Sequence, residues 1–131
     1  MRKMIGGDWI AQEGHTTALK ISACRHCDAR WFPPRDVCST CASGDLEQIT
    51  TGDRGVAYAS TVVRVGTLPF RAPYVLSYVD IDGVRLLTHF DDDHAPAPGT
   101  PVRLTTGQIG SEGDTELWSH LAQPIAKEGT R

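Results

Sequence analysis

Every cysteine of the chain lies in one stretch, CRHCDARWFPPRDVCSTC, at residues 24–41. Cys24 and Cys27 make one Cys-x-x-Cys pair and Cys38 and Cys41 another, with ten residues between them. Each pair can set two sulfurs on one side of a tetrahedral ion, and the connection is long enough to bring the second pair round to the opposite side. Pro33 and Pro34 stiffen that connection by fixing φ and excluding helix. The pattern predicts a four-thiolate metal site, with zinc expected; a rubredoxin-like iron centre uses the same ligand set. Four thiolates leave no position for water or substrate, so the metal is expected to be structural. His26, inside the first pair, is expected to point outward rather than to ligate.

The other residues that could do chemistry are scattered. No nucleophile elbow, glycine-rich phosphate loop or His-Glu-x-x-His is present. The histidines are His15, His26, His89, His94 and His120. DDDH at 91–94 raises a second metal, but consecutive loop residues seldom converge on one ion, and a solvated acidic turn is the expectation. His89 and His120 fall on expected strands, where a hydrogen-bonded structural role is the default. Trp31 and Phe32 beside the cysteines, and Phe70 and Tyr74 in LPFRAPY, are large side chains near prolines in loops. Such positions favour binding, or they seal a junction between modules.

Charge narrows the partners. The formal charge is −3, and four thiolates around one divalent cation make it more acidic still. A nucleic-acid binder needs a basic face, and an anionic membrane gains little from this balance. Lys20, Arg25, Arg30 and Arg35 against Asp28 and Asp36 leave the cysteine stretch locally basic. This offsets the metal–thiolate charge; alternatively, Arg30 or Arg35 meets a phosphate or carboxylate through its planar donors. No apolar run approaches the roughly 20 residues of a membrane span. The start, MRKMIGGDWIAQEGH, lacks the apolar core of a secretory signal, so a cytoplasmic location is expected, where reduced thiols favour metal over disulfides.

These residues need elements to hold them. After the turn-rich ASGDLEQITTGDRG, GVAYASTVVRV (55–65) alternates, with Val56, Tyr58, Ser60 and Val62 on one face and Ala57, Ala59, Thr61, Val63 and Val65 on the other. YVLSYVDI (74–81) and VRLLTHF (84–90) flank Asp82-Gly83, a tight-hairpin signal. TPVRLTT (100–106) and TELWSHL (115–121) read as two more strands separated by GQIGSEGD. Five strands without a long helix predict a mostly β chain, a four-cysteine metal module followed by a five-stranded OB-fold barrel. The expected division is an N-terminal arm or short helix at 1–18, the ribbon at 19–45, the barrel at 46–124 and a tail at 125–131. Each module is expected to have its own source of stability.

In order and spacing, CRHCDARWFPPRDVCSTC, TGDRGVAYASTVV, PFRAPYVLSYVDIDGVRLLTHF and PGTPVRLTT resemble the acyl-CoA-associated zinc-ribbon/OB-fold proteins, long labelled a domain of unknown function. The likeness runs from about residue 19 to 124. It implies an N-terminal rubredoxin-like zinc ribbon followed by the five-stranded OB-fold barrel, with Cys24, Cys27, Cys38 and Cys41 ligating zinc. It also implies a non-catalytic accessory subunit that binds a thiolase-like or hydratase-like acyl-CoA enzyme and helps form or stabilise its acyl-CoA site. Trp31, Phe32, Arg35, Phe70 and Tyr74 are then the residues expected to contact partner or acyl-CoA. The alternative is a nucleic-acid-binding zinc-ribbon/OB module, which would need stacking aromatics on a basic strand face. A small iron electron carrier is the third reading.

Overall fold

The computed structural model of the protein describes residues 1–14, 16–67 and 69–125. His15 and, from residue 126 onward, the tail expected at 125–131 lie outside the described residues. In chain order the strands are β1 (Arg2–Met4), β2 (Ile10–Glu13), β3 (Thr16–Cys24), β4 (Arg30–Trp31), β5 (Leu46–Thr50), β6 (Arg54–Val63), β7 (Tyr74–Ile81), β8 (Val84–Phe90), β9 (Pro101–Glu112) and β10 (Thr115–Pro124). One 3-10 turn, Gly7–Trp9, precedes β2.

β7 and β8 are the two strands expected around the hairpin, and both alternate. Val75, Ser77, Val79 and Ile81 point inward on β7, and Val84, Leu86, Thr88 and Phe90 on β8, so each strand buries one face. Asp82 (φ 47°) and Gly83 (φ 84°) make the positive-φ hairpin that the sequence signals. β6 departs from its period. A bulge between Ala57 and Ala59 takes Tyr58 out of register, so the inward face passes from Ala57 to Ser60 and Val62 instead of continuing through Ala59 and Thr61. The Ser60 hydroxyl donates to Ser77 Oγ (2.8 Å) inside the barrel, which fixes the new parity.

The ring closes in the order β6–β7–β8–β10–β9 and back to β6, antiparallel except for the β8–β10 pair. This is the OB topology. GQIGSEGD is not the break expected between strands: β9 runs through it to Glu112. Two of its three glycines are there for close approach, while Gly113 takes the positive φ (58°) of the turn into β10. A Cβ on Gly107 would stand 2.7 Å from Leu121 Cδ2, and one on Gly110 would stand 2.5 Å from the Pro69 carbonyl oxygen.

The parallel closure is short. Only Leu121↔His89 and Ala122↔Phe90 pair, and nearer their starts β8 and β10 part. The freed edge of β10 is taken by β1, parallel, with Arg2↔Glu116 and Met4↔Trp118. The short N-terminal helix expected before the ribbon corresponds to the 3-10 turn at Gly7–Trp9, and β1 ahead of it is an unexpected addition whose three exposed residues carry no apolar pattern that would announce a strand.

The ribbon sheet sets β2, β4 and β5 around β3. Leu19 and Ile21 of β3 are fully buried in one cluster with Val79, Ile81, Val102 and Leu104 of the barrel. The two modules share a core, contrary to the expectation of independent stability. Burial of each such side chain contributes about 1.5–3 kcal/mol.

Candidate metal centre and aromatic cavity

β3 runs directly into the first cysteine turn, and the β3–β4 pairing (Ser22↔Trp31, Ala23↔Arg30) closes a hairpin around it. The two cysteine turns have the same backbone. Cys24 N–H donates to Ala29 O (2.9 Å) and Asp28 N–H to Cys24 O (3.0 Å); Cys38 N–H donates to Ser43 O (2.9 Å) and Ala42 N–H to Cys38 O (2.8 Å). The residue after each second cysteine, Asp28 or Ala42, has φ of 64°.

These turns bring the four sulfurs within 4.8 Å of one another. The shortest approaches cross between the turns, with Cys24 Sγ 3.6 Å from Cys41 Sγ and Cys27 Sγ 3.5 Å from Cys38 Sγ. A tetrahedron of sulfurs with zinc–sulfur bonds of about 2.3 Å has edges of roughly 3.8 Å, so donor set and spacing fit zinc. Among the described residues, no other group of three or more His, Cys, Asp or Glu side chains is close enough to hold an ion, and DDDH forms only an Asp92 turn.

The electrostatics also call for a cation. The Cys27 amide draws Cys24 below the usual thiol value. Burial pushes the Cys38 thiol up, but the amides of Cys41 and Thr40, with Cys27 and the Trp31 indole, bring it to about 6. The Ala29 amide acts to lower Cys27, yet desolvation and the three neighbouring sulfurs push it up to about 12. The Ser43 amide acts to lower Cys41, but Cys24 and desolvation leave it raised. Two sulfurs favour ionisation and two resist it; a divalent ion lets all four ionise. Zinc at this site would cross-link the two turns, and four protein ligands complete its coordination. His26 is exposed, and only its amide approaches a sulfur, 3.4 Å from Cys24 Sγ.

The basic residues around the centre have local tasks. Arg25 pairs with Asp45 (2.8 Å) and approaches Glu47 (3.8 Å). Arg30 Nη1 donates to the Asp82 carbonyl (2.6 Å), and the Asp82 carboxylate accepts from Gly52 N–H (2.5 Å). The β7–β8 turn therefore anchors the ribbon as well as joining two strands. Arg35 lies over the Trp31 ring (4.9 Å) and donates to Ser39 Oγ (3.1 Å).

The aromatic residues singled out from the sequence fall into two places. Phe32 stands at the ribbon–barrel junction, edge-on to Trp9 (5.9 Å) and to His120 (5.6 Å). Phe70 and Tyr74 meet at 5.8 Å, and both contact His89, at 4.9 and 5.4 Å. Between these places lies a cavity of about 320 Å3, where β8 and β10 part. Phe70, Tyr74, Leu76, Leu87 and Ile109 line it with His89 and His120. Ile109 is the extra residue of a bulge in the β9–β10 ladder. Burial lowers the pKa of both histidines; His120 adds to the effect on His89, while the Leu87 backbone opposes it at His120. His120 Nε2 is buried with no hydrogen-bond partner among the described residues. The two histidines, expected to be structural from the sequence, thus share one hollow, and the signal for it lay in a strand pairing that local pattern does not reveal.

Outside the barrel, Tyr58, Tyr78 and Leu87 are 50, 47 and 49% exposed on neighbouring strands, with Tyr78 opposite Leu87. No helix among the described residues is long and apolar enough to cross a membrane.

Residues 9–47 match the family model described as ChsH2, rubredoxin-like zinc ribbon domain, and residues 48–107 the one described as ChsH2, C-terminal OB-fold domain. A DUF35 domain-containing scaffold protein of Methanothermobacter thermautotrophicus is 27% identical over 108 residues, spanning 78% of this chain and 81% of that protein. A solved structure described as Ltp2-ChsH2(DUF35) aldolase superposes with a TM-score of 0.59 at 27% identity, over 81% of this chain and 84% of its own.

Proposed function

This chain belongs to the ChsH2-type zinc-ribbon/OB-fold family, and on that premise we propose that it is a non-catalytic accessory subunit of an acyl-CoA enzyme. It binds a thiolase-like or hydratase-like partner and helps form or stabilise the partner's acyl-CoA site. The observation that carries this reading is the exposed apolar face of Tyr58, Tyr78 and Leu87 on a chain whose metal ligands are a closed set of four thiols. Such a chain has more to offer a partner surface than a reacting substrate. One relative's name contains the word scaffold, and a structural neighbour is described by two components and an aldolase activity, which supports a role beside an enzyme.

The nucleic-acid reading has one observation in its favour, the two tyrosines on the outer barrel face, where OB modules stack bases. The cation there is already engaged: Arg85 binds Asp80 through two hydrogen bonds, at 2.6 and 3.1 Å, and lies 3.4 Å over the Tyr58 ring. That leaves little positive charge for phosphates.

The test is capture of partners by the tagged protein from the lysate of its own cells at low salt, with zinc measured on the same sample. A thiolase-like or hydratase-like enzyme in stoichiometric amount is the expected result. Recovery of nucleic acid without such an enzyme would return the function to the alternative.

A further inference from the structure

Two arginines face each other on the outside of the barrel. Val102 and Leu104 of β9 are buried in the core, so Arg103 between them points outward. Its direct partners are Arg54 at the start of β6 and Gln123 near the end of β10. Arg54, Arg103 and Gln123 therefore form one row across neighbouring strands. The Leu104 amide donates to the Asp53 carbonyl (2.7 Å), and the Ala57 amide to the Thr100 carbonyl (2.9 Å). The ladder bonds thus fall to Asp53 and Ala57, in step with each other and out of step with Arg54. Arg54 and Arg103 are accordingly a non-hydrogen-bonded pair, the kind whose side chains approach most closely. Like charges placed directly opposite oppose folding.

No carboxylate among the described residues neutralises the pair, for neither arginine takes part in an ion pair. Asp53, next to Arg54 in the chain, alternates to the opposite face. The Asp82 carboxylate accepts from Gly52 N–H. Asp91 follows the last β8–β10 pair, on the far side of Gln123, and bridges to neither arginine. Arg54 is exposed, whereas Arg103 is half-buried and its Nε is buried with no hydrogen-bond partner among the described residues. A buried donor left unpaired costs free energy that a bound acceptor recovers.

We infer that Arg54, Arg103 and Gln123 form a binding site for a phosphate dianion, free or as a small-molecule monoester. Phosphate suits the row better than carboxylate does. Each guanidinium presents a planar fork of donors, and a carboxylate engages one fork; a phosphate monoester has three strong acceptor oxygens and two charges to share between both. The Gln123 amide adds a further donor. One pair of cations fits a single oxyanion, whereas a polyanion needs a basic tract. The row lies on the β9 side of β6, while Tyr78 and Leu87 lie on its β7 side. The site is therefore separate from the exposed apolar face and stands whether or not the accessory-subunit reading does.

The test is titration of the zinc-loaded full chain at low salt with inorganic phosphate, phenyl phosphate and acetate, following the arginine Nε–H resonances by NMR. Saturable shifts of Arg54 and Arg103 with a phosphate, at least tenfold tighter than with acetate, support the site. Phenyl phosphate binding tighter than inorganic phosphate then identifies a monoester, and the reverse or equality identifies the free ion. A smaller preference over acetate, shifts confined to other arginines, or no saturable shift overturns the inference. Arg54→Glu, at an exposed position, sets a carboxylate opposite Arg103. That variant should bind phosphate at least tenfold more weakly and melt no lower in phosphate-free buffer, because repulsion is replaced by attraction. Unchanged phosphate affinity overturns the assignment, and a lower melting temperature counts against it by showing no repulsion to relieve. Glu128→Gln, just beyond the described residues, asks whether this chain fills the site itself. Unchanged phosphate affinity supports an external ligand; affinity at least tenfold tighter would assign the row to Glu128 and overturn it.

Discussion

Phe32 of the ribbon and His120 of the barrel stand edge to face, with ring centroids 5.6 Å apart. Through this contact the metal-bearing loop reaches a residue that lines the aromatic cavity. Phe32→Ala removes a partly buried ring, and the expected cost is about 2 kcal/mol in urea denaturation, below the range for a fully buried ring. Water reaching His120 should move its pKa back up toward the ordinary imidazole value, read by NMR titration. An unmoved His120 would mean that the contact does not control its burial.

The two cavity histidines should make stability depend on pH. Burial lowers both pKa values in the folded state, so between those values and the unfolded one, about 6.5, the unfolded chain binds more protons. Their contribution is complete above the unfolded pKa and is lost as pH falls below it. The melting temperature should therefore fall from pH 7 toward pH 5, and the slope should flatten in a His89→Gln, His120→Gln double variant. An equal slope in that variant would assign the acid sensitivity to other groups.

Cys38→Ser should release the metal, since each sulfur occupies one corner of the four-ligand set. Because Leu19 and Ile21 at the other end of β3 belong to the barrel core, the loss should also lower the barrel's own unfolding midpoint. Hydrogen exchange checks this, with β7 and β8 amides losing protection alongside those of the ribbon. Stoichiometric zinc in the variant would refute the ligand assignment.

Ala42 adopts φ of 64°, a backbone region that costs an L-residue roughly 1 kcal/mol and a glycine little. Ala42→Gly should stabilise the ribbon by up to about that amount, less whatever the unfolded chain gains in freedom. The readout is a higher melting temperature with unchanged zinc stoichiometry. A lower melting temperature would show that the Ala42 side chain contributes more than its backbone strain costs.

The cysteine spacing was sufficient to locate the metal centre, because two Cys-x-x-Cys turns carry their geometry with them. The barrel's hairpin was equally legible, since Asp82-Gly83 between alternating runs is a local signal. The face assignment in β6 failed beyond Ala57 for a physical reason: one bulged residue reverses every later side chain, and nothing in GVAYASTVV marks which residue bulges. GQIGSEGD looked like a connection because glycine and polar residues usually break strands. Gly107 and Gly110 are instead places where Leu121 of the neighbouring strand and the Pro69 carbonyl of a distant loop press against β9.

The sequence alone therefore determined the parts whose information is local: the thiol ligands, the tight turn, the presence of the barrel strands and the overall class of ribbon plus barrel. Tertiary structure decided what depends on closure. It set β1 on the edge that β8 leaves free, drew β3 into the barrel core, and brought His89 and His120 to one cavity. A strand's period says which residues share a face, but a closed sheet decides which faces meet, and that choice is made by pairings between residues far apart in the chain.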